Sequence, residues 1–578
     1  MKSKRISMIL AVLISASMLL AGCAGATSEP TKLPGMGGEV SDLMEDGDKD
    51  DKEAVSDDKT DEKEDEKEAV QEGAVNENEP FIPYISRNAL DERDDNGMLF
   101  ISNYDLISAG NKAEKYPELE KVLKKRNEDL DKSLRDEMEE SLGYAAEYNE
   151  TWDSTEGFWD NSYCYVQRAD DDVFSYAVVA DSFQGGAHGY VGTGGYNYDP
   201  KTGKEYKLSD IIKDEEELKK VLIKKLNENY SADIEWFEDL EKTFSQYGDN
   251  SDYQFNWFIE PYGVTFVFNP YELAAYAYGA QEVTISFDED ADLFTGKVGK
   301  AENGYAMRFP MYDVLSVDVD GDGKQDRIQV APEYDYDSYD SYTHTYNYEG
   351  LNVVLNGKSL TDKEGAAGYS WDYILYLVCD KNGKYYIYVD TTGDNDWETL
   401  IVYSLSDGGV KKVDELSGNG IRVSVEDDEM EGWGAALFDP SYFEMGQRCD
   451  TISSVYGTRF YHISDDGEPV PETDYITITS DLTLKSSIEL EAEYLGETED
   501  ITMNAAELKS TGTKETLPAG TEFKLWRSDC ETYTDCLVGG DNGTYKVYRL
   551  YHEVNSEGFR TINGVELEDC FESLFFAG

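Results

Sequence analysis

The residues whose types and spacing best suit them to chemistry are four aspartates in LSVDVDGDGKQDRIQV, Leu315 to Val330. Asp318, Asp320, Asp322 and Asp326 stand at positions one, three, five and nine of a loop of the calcium-binding kind, with Gly323 at position six, where such a loop turns sharply. Carboxylates this close repel one another unless a hard cation lies among them. Lys324, at position seven, would offer the ion its backbone carbonyl while its charge points outward. Position twelve is Gln329, where a helix-loop-helix site has a bidentate glutamate, and both flanks alternate like strands. The expectation is a calcium ion acting as a structural staple; the plain alternative is an acidic turn without metal. A looser grouping of Asp390, Asp394 and Asp396 in YYIYVDTTGDNDWETLIVY repeats the pattern between two further β runs.

The second candidate is His188, one of 4 histidines, in the glycine-rich corner GGAHGY. Gly185, Gly186 and Gly189 permit backbone with positive φ beside a strand. No cysteine, serine or second histidine joins His188 in a recognisable nucleophile or metal arrangement. His188 is therefore read as a brace that hydrogen-bonds this corner, with contact to a ligand as the other role. GxSxG, HExxH, the P-loop and the dinucleotide fingerprint are all missing from the sequence, and His188, His344, His462 and His552 are scattered. With 121 acidic residues, a glycosidase-type carboxylate pair stays open, since such pairs have no fixed spacing.

The elements that must position these residues follow from periodicity. After Tyr116-Pro117, Leu119, Val122, Leu123, Leu130, Leu134, Met138 and Leu142 recur at helical spacing, with Pro117 suited to a helix start. Tyr163 to Arg168 and Val173 to Ser182 alternate as paired strands, Asp199 to Gly203 makes a turn, and Leu218, Val221, Leu222 and Leu226 mark a second helix. Gln254 to Glu260 and Gly263 to Asn269 read as strands joined at Pro261-Tyr262-Gly263, with a third at Glu282 to Phe287. Residues 98–296 are thus expected to be an α+β unit beginning near Met98. Residues 305–490 read as mostly β, a partial propeller or sandwich carrying the calcium loop, with strands at Gly420 to Val425, Thr458 to Ile463 and Tyr475 to Ile478. EYDYDSYDSYTHTYNYEG, Glu333 to Gly350, reads as a hairpin of cross-strand tyrosines, the alternative being an aromatic platform for sugar rings. Residues 515–578 suggest a small SH3-like β-barrel.

GGAHGY, then YNYDPKTGKEYKLSDII, then a helix, then NWFIEPYGVTFVFNPYELAAYAYGAQEVTISFDE, resembles the paired extracytoplasmic domains of the lysozyme-sensing anti-sigma factor RsiV and of PdaC-type peptidoglycan deacetylases. The resemblance spans about Met98 to Phe294 and implies a binding role, because the RsiV version captures lysozyme. Neither a sigma-binding segment nor a deacetylase domain is recognisable in this chain, so those activities do not carry over. The Asp318 loop resembles the strand-linked DxDxDG loops of exported propeller-type repeats.

The first residues place the chain. Lys2, Lys4 and Arg5 precede an apolar run, Ile6 to Leu20, that ends in Leu20-Ala21-Gly22-Cys23. The run falls short of the roughly twenty residues of a spanning helix. It resembles the lipobox of bacterial lipoproteins, which implies cleavage before Cys23 and lipidation there, with residues 1–23 the signal peptide. The protein would be held on the outer face of the bacterial cell membrane by its lipid alone; an ordinary secreted protein is the alternative. Residues 24–80, with SDDKTDEKEDEKEAV at their centre, are too charged to bury a core and read as a disordered acidic tether, or else as a charged single helix. The net charge of −70 argues against nucleic acid and favours cationic proteins, metal cations or neutral glycans. Cys164, Cys379, Cys449, Cys530, Cys536 and Cys570 permit disulfides, with Cys530 and Cys536 near enough for a local bridge. The expected function is a lipid-anchored surface binder of a cationic wall-active protein such as lysozyme or of a cell-wall glycan. The alternative is a wall-processing enzyme, a glycan hydrolase or a deacetylase accessory subunit.

Overall fold

Strand structure begins earlier than Met98. Tyr84–Asp94 (β1) and Gly97–Ser108 (β2) pair antiparallel, and β1 forms the edge of the first sheet. Most positions of β1 are half-buried or exposed and several are charged, which protects an edge from unwanted pairing and hides it from a hydrophobicity reading. The computed structural model describes residues 80–94, 97–152, 157–186, 188–230, 234–248, 253–340, 345–368, 372–393, 397–422, 437–503, 505–540 and 543–576. The signal segment, Cys23, the acidic tether, His344, Asp394 and Asp396 lie outside the described residues.

The predicted long helix spans Pro117–Trp152 and carries the chain over to Phe158–Ala169 (β3), which lies parallel to β2. Its apolar stripe buries Leu119, Leu123, Leu130 and Leu134 against the sheet. Polar pins fix its height: Asn127 exchanges two hydrogen bonds with Ile107, and Glu120 accepts from the Ala109 amide at 2.8 Å. Phe174–Phe183 (β4), Tyr190–Asp199 (β5) and Lys204–Glu205 (β6) complete a six-stranded sheet in sequential order. The β5–β6 turn closes where expected, with the Gly203 amide donating to Asp199 O at 2.9 Å.

A second layer follows. The helix Glu215–Tyr230 packs Leu218, Leu222 and Leu226 onto a three-stranded sheet of Asn256–Ile259 (β7), Gly263–Phe268 (β8) and Gln281–Ser286 (β9). Every residue of β8 is buried, which is why its sequence reads as a continuous apolar run. This sheet docks on β5 through side chains: Asn197 Nδ2 donates to Trp257 O at 2.9 Å, and the Gly195 amide donates to Asn256 Oδ1 at 2.8 Å. Gly195 is required by close approach, since a Cβ there would lie 2.0 Å from Trp257 O.

The remaining chain is built of strands. Tyr305–Phe309 (β10), Val314–Val317 (β11), Asp326–Asp340 (β12), Thr345–Leu355 (β13), Lys358–Asp362 (β14), Asp372–Cys379 (β15), Tyr385–Gly393 (β16), Trp397–Ser406 (β17) and Gly409–Ser417 (β18) form two sheets. One is the meander β11 to β14; the other runs β18-β17-β16-β15-β10 and ends on the short strand Leu437–Phe438. They share a core in which Val317, Ile328 and Val353 join Leu377, Ile387 and Ile401. The tyrosine-rich segment is a hairpin, with Tyr334 opposite Tyr348 in the β12–β13 register.

The C-terminal expectation needs correction. Apart from Leu437–Phe438, the strands from Asn419 onward join one 14-stranded sheet, and the described residues form no closed barrel. Leu490–Thr498 pairs with both Thr513–Leu517 and Tyr545–Val554, so pairing crosses the boundary expected between 490 and 515. Glycine turns specify hairpins locally, whereas closure depends on stagger across the whole sheet.

Candidate functional site

The acidic loop sits at the tip of the β11–β12 hairpin, where Val317 faces Asp326. Gly321 and Gly323 take φ of 77° and 85°, which turns the backbone amides inward. The Gly321 and Asp322 amides donate to Asp318 Oδ1 at 2.7 and 3.1 Å, the Gly323 amide donates to Asp318 Oδ2 at 2.9 Å, and the Val319 amide donates to Asp326 Oδ2 at 2.9 Å. Carboxylate oxygens of Asp318, Asp320 and Asp326 all lie within 4.8 Å of one another. Asp322 stands apart from this triad: Lys324 Nζ reaches it at 3.2 Å and, with the Lys324 amide, holds its carboxyl below the usual range. A cavity of about 210 Å³ adjoins the triad, lined by Asp320, Asp326, Asn356, Ser406 and Asp407. An all-oxygen donor set of this size suits a hard divalent cation. The Asp390 echo differs, because Asp390 Oδ2 accepts from the Ile421 amide at 2.8 Å and so braces a neighbouring strand.

The glycine-rich corner is the second site. Gly185 and Gly186 take φ of 87° and 107°, as expected, whereas Gly189 is absent from the positive-φ residues and is needed for close approach to Ser182 O, 2.7 Å from its would-be Cβ. His188 is exposed. Its Nδ1 lies 2.8 Å from Gly189 O, which can only accept, so Nδ1 donates to it, and Nε2 lies 3.4 Å from the Tyr271 hydroxyl. The imidazole stacks on Tyr276, centroids 4.4 Å apart, and Tyr271 packs on Tyr276 at 5.6 Å. Asn269 fastens this loop to β5 by exchanging hydrogen bonds with Thr193 at 2.8 and 3.0 Å, and Tyr271 itself takes φ of 72°. Tyr271 and Tyr278 remain 43% and 41% exposed. The result is a ledge of rings at the surface. Behind it, Asp181 accepts from Trp159 Nε1 at 3.0 Å and Asn161 Nδ2 at 3.3 Å, and burial raises its carboxyl. Sequence reasoning singled out His188 but missed Tyr271, Tyr276 and Asp181; the only local trace is the aromatic run YELAAYAY.

Carboxyl pairs do occur, inside the molecule. Asp160 is fully buried, and its carboxyl lies beside that of Glu137 on the long helix. Burial and the neighbouring acid raise Asp160 well above the usual carboxyl range. At the seam between the three-stranded sheet and the β11 hairpin, burial pushes Glu260 and Asp313 each up to about 7, and Glu282 is raised as well. Glu260 is 3% exposed and accepts from the hydroxyls of Tyr262 and Thr265. These groups are built into packing layers, whereas the ring ledge faces solvent. Among the described residues no helix is long and apolar enough to cross a membrane.

All six described cysteines are free thiols, Cys530 and Cys536 included. Cys536 points into the core from its strand, whereas Cys530 sits in the preceding turn, so the expected local bridge is not formed.

Residues 209–288, which include Tyr271 and Tyr276, match the model of a family described as a protein of unknown function (DUF3298). The chain therefore carries a DUF3298 domain, with His188 contributed from outside it. Two solved structures of DUF3298 family proteins are similar to part of the chain. One, from Bacteroides fragilis, is 19% identical, with 37% of this chain and 94% of that one covered at a TM-score of 0.27. The other, from Pseudomonas aeruginosa, is 17% identical, with 39% and 99% covered at a TM-score of 0.26. No curated protein matches.

Proposed function

We propose that the protein is a surface-displayed capture protein whose recognition face is the ledge of His188, Tyr271 and Tyr276, and whose partner is a basic wall-active protein such as lysozyme. The observation that carries this reading is the solvent-facing ring cluster held by Asn269 on a strand. Tyrosines of this kind supply rigid contact area at low entropic cost, and the −70 net charge supplies attraction for a cationic partner. The resemblance to the RsiV and PdaC-type domains supports the same reading, and the DUF3298 match falls within the segment that carries it. The lipobox pattern ending at Cys23 supports display on the outer face of the membrane through a lipid anchor. The test is binding of the full chain to lysozyme at low and moderate salt, beside cytochrome c as an unrelated basic protein. Tyr276→Ala is expected to weaken lysozyme binding by roughly 30-fold, the effect of losing one interface anchor. Equal binding of both basic proteins, with both lost at moderate salt and no effect of Tyr276→Ala, would refute capture by this face. Retention on insoluble peptidoglycan instead of lysozyme would assign the ledge to a glycan.

Calcium at the β11–β12 loop belongs to the same proposal, held by Asp318, Asp320 and Asp326, with the Lys324 carbonyl expected from the loop pattern and Asp322 recruited only on release from Lys324. The ion would relieve the repulsion within the triad and clamp the hairpin. Calcium added to chelator-treated protein is expected to raise the thermal midpoint by several degrees, about 2.7 kcal/mol at a hundredfold excess over Kd. Asp320→Ala should remove most of that rise. A wild-type midpoint indifferent to calcium would sink the assignment.

A further inference from the structure

We propose that Cys449 and Cys530 are a disulfide-forming pair that cross-links two distant parts of the 14-stranded sheet. Cys449 lies near the end of the strand Phe443–Asp450 and is 1% exposed. Cys530 lies 81 residues further on (530 − 449), half-buried, in the turn between Glu522–Ser528 and Tyr533–Gly539. The fold sets the two cysteines beside each other. Both gather around Ser528: its Oγ lies 3.7 Å from Cys449 Sγ and accepts from the Cys530 amide at 3.0 Å. The turn is fixed by Asp529, whose Oδ1 accepts from the amides of Glu531, Thr532 and Tyr533 at 3.0, 2.8 and 2.9 Å, and Cys530 takes a φ of 61° within it. Cys536, by contrast, is fully buried with its Sγ against Thr534 O in the core.

The two positions are suited to successive steps of thiol–disulfide exchange with a small-molecule disulfide. Cys530 is the more accessible sulfur, and because Cys449 and burial make it hold its proton tightly, it passes that proton to the Cys449 thiolate as it attacks the oxidant, expelling one thiolate and leaving a mixed disulfide. Cys449 then gives that proton to the expelled thiolate, with the Thr451 hydroxyl 3.4 Å from its Sγ, and needs only to reach the adjacent sulfur. Its attack on Cys530 Sγ expels the second thiolate, so two cysteine thiols and one oxidant disulfide become one cystine and two small thiols.

The test treats the reduced full chain with oxidised glutathione, counts thiols in denaturant and maps unreduced peptides by mass spectrometry. The thiol count is expected to fall by two, a Cys449–Cys530 linked peptide to appear, and the thermal midpoint to rise by roughly 5–10 °C, as closing a long loop implies. Cys530→Ser should abolish all three changes and Cys536→Ser should preserve them. A predominant Cys530–Cys536 link, a stable glutathione adduct on Cys530, or an unchanged thiol count in the wild type would each overturn the proposal. The mapped link is read on the wild type, so it does not depend on how a variant folds.

Discussion

Glu260→Gln is expected to stabilise the protein by about 3 kcal/mol at pH 8 while leaving it nearly unchanged at pH 4. Burial raises this carboxyl from 4.5 to about 7, more than the hydrogen bonds from Thr265 and Tyr262 lower it. Between those two values the folded protein holds a proton that the unfolded chain has released. Stability contributed by this group is therefore full below about 4.5, falls as pH rises through the window, and levels off above 7. Glutamine copies the protonated acid. Its amide can donate to Thr265 Oγ1, which lies 2.8 Å from Thr284 Oγ1 and can pass its own proton there, while its carbonyl still accepts from Tyr262. Asp313 and Glu282 share the seam and are raised in part by the Glu260 charge, so the substitution should also ease their ionisation. Urea unfolding of wild type and variant at pH 4, 6 and 8 measures the difference directly. A gap that is the same at pH 4 and pH 8 would show that Glu260 carries no retained proton.

Gly195→Ala should cost about 3 kcal/mol or more, because its methyl group would overlap the backbone of β7. A Cβ at this position lies 2.0 Å from Trp257 O and 2.5 Å from Trp257 C, and neither atom belongs to a flexible side chain that could swing away. Relief requires β5 and β7 to separate, which stretches the bonds from Asn197 to Trp257 O and from the Gly195 amide to Asn256. Gly194→Ala is the control one residue away: its Cβ would meet only the Tyr196 ring, no nearer than 3.7 Å. The pair is compared by urea midpoint. Equal midpoints for the two variants would mean that the layers are not locked at Gly195. Because Asn269 hangs the ring ledge on the same strand, Gly195→Ala is also expected to weaken ligand capture.

Much of the local structure was legible because it depends on neighbours in sequence. Pro117 and the leucines three and four residues apart specify the long helix. Pro261-Tyr262-Gly263 specifies the β7–β8 turn, and the aspartate spacing between two β runs specifies an acidic loop on a hairpin. The edge strand Tyr84–Asp94 was not legible, since a strand that buries little of itself carries little periodicity. Asp322 stands apart from the acidic triad because Lys324 engages it, a pairing that spacing alone does not rank.

By itself, then, the sequence determined most of the elements, the acidic loop and the charge, all properties of short stretches whose physics is set by nearby residues. Only the tertiary structure decided which distant groups meet. His188 and Tyr276 stack across the junction of two sheets, Glu260 loses its water at a seam between units, Cys449 finds Cys530 rather than leaving it to Cys536, and the C-terminal strands extend one sheet instead of closing a barrel. Each of these contacts depends on strand register and layer packing summed over the whole chain, and a one-residue change in register would send the same side chains to the opposite face.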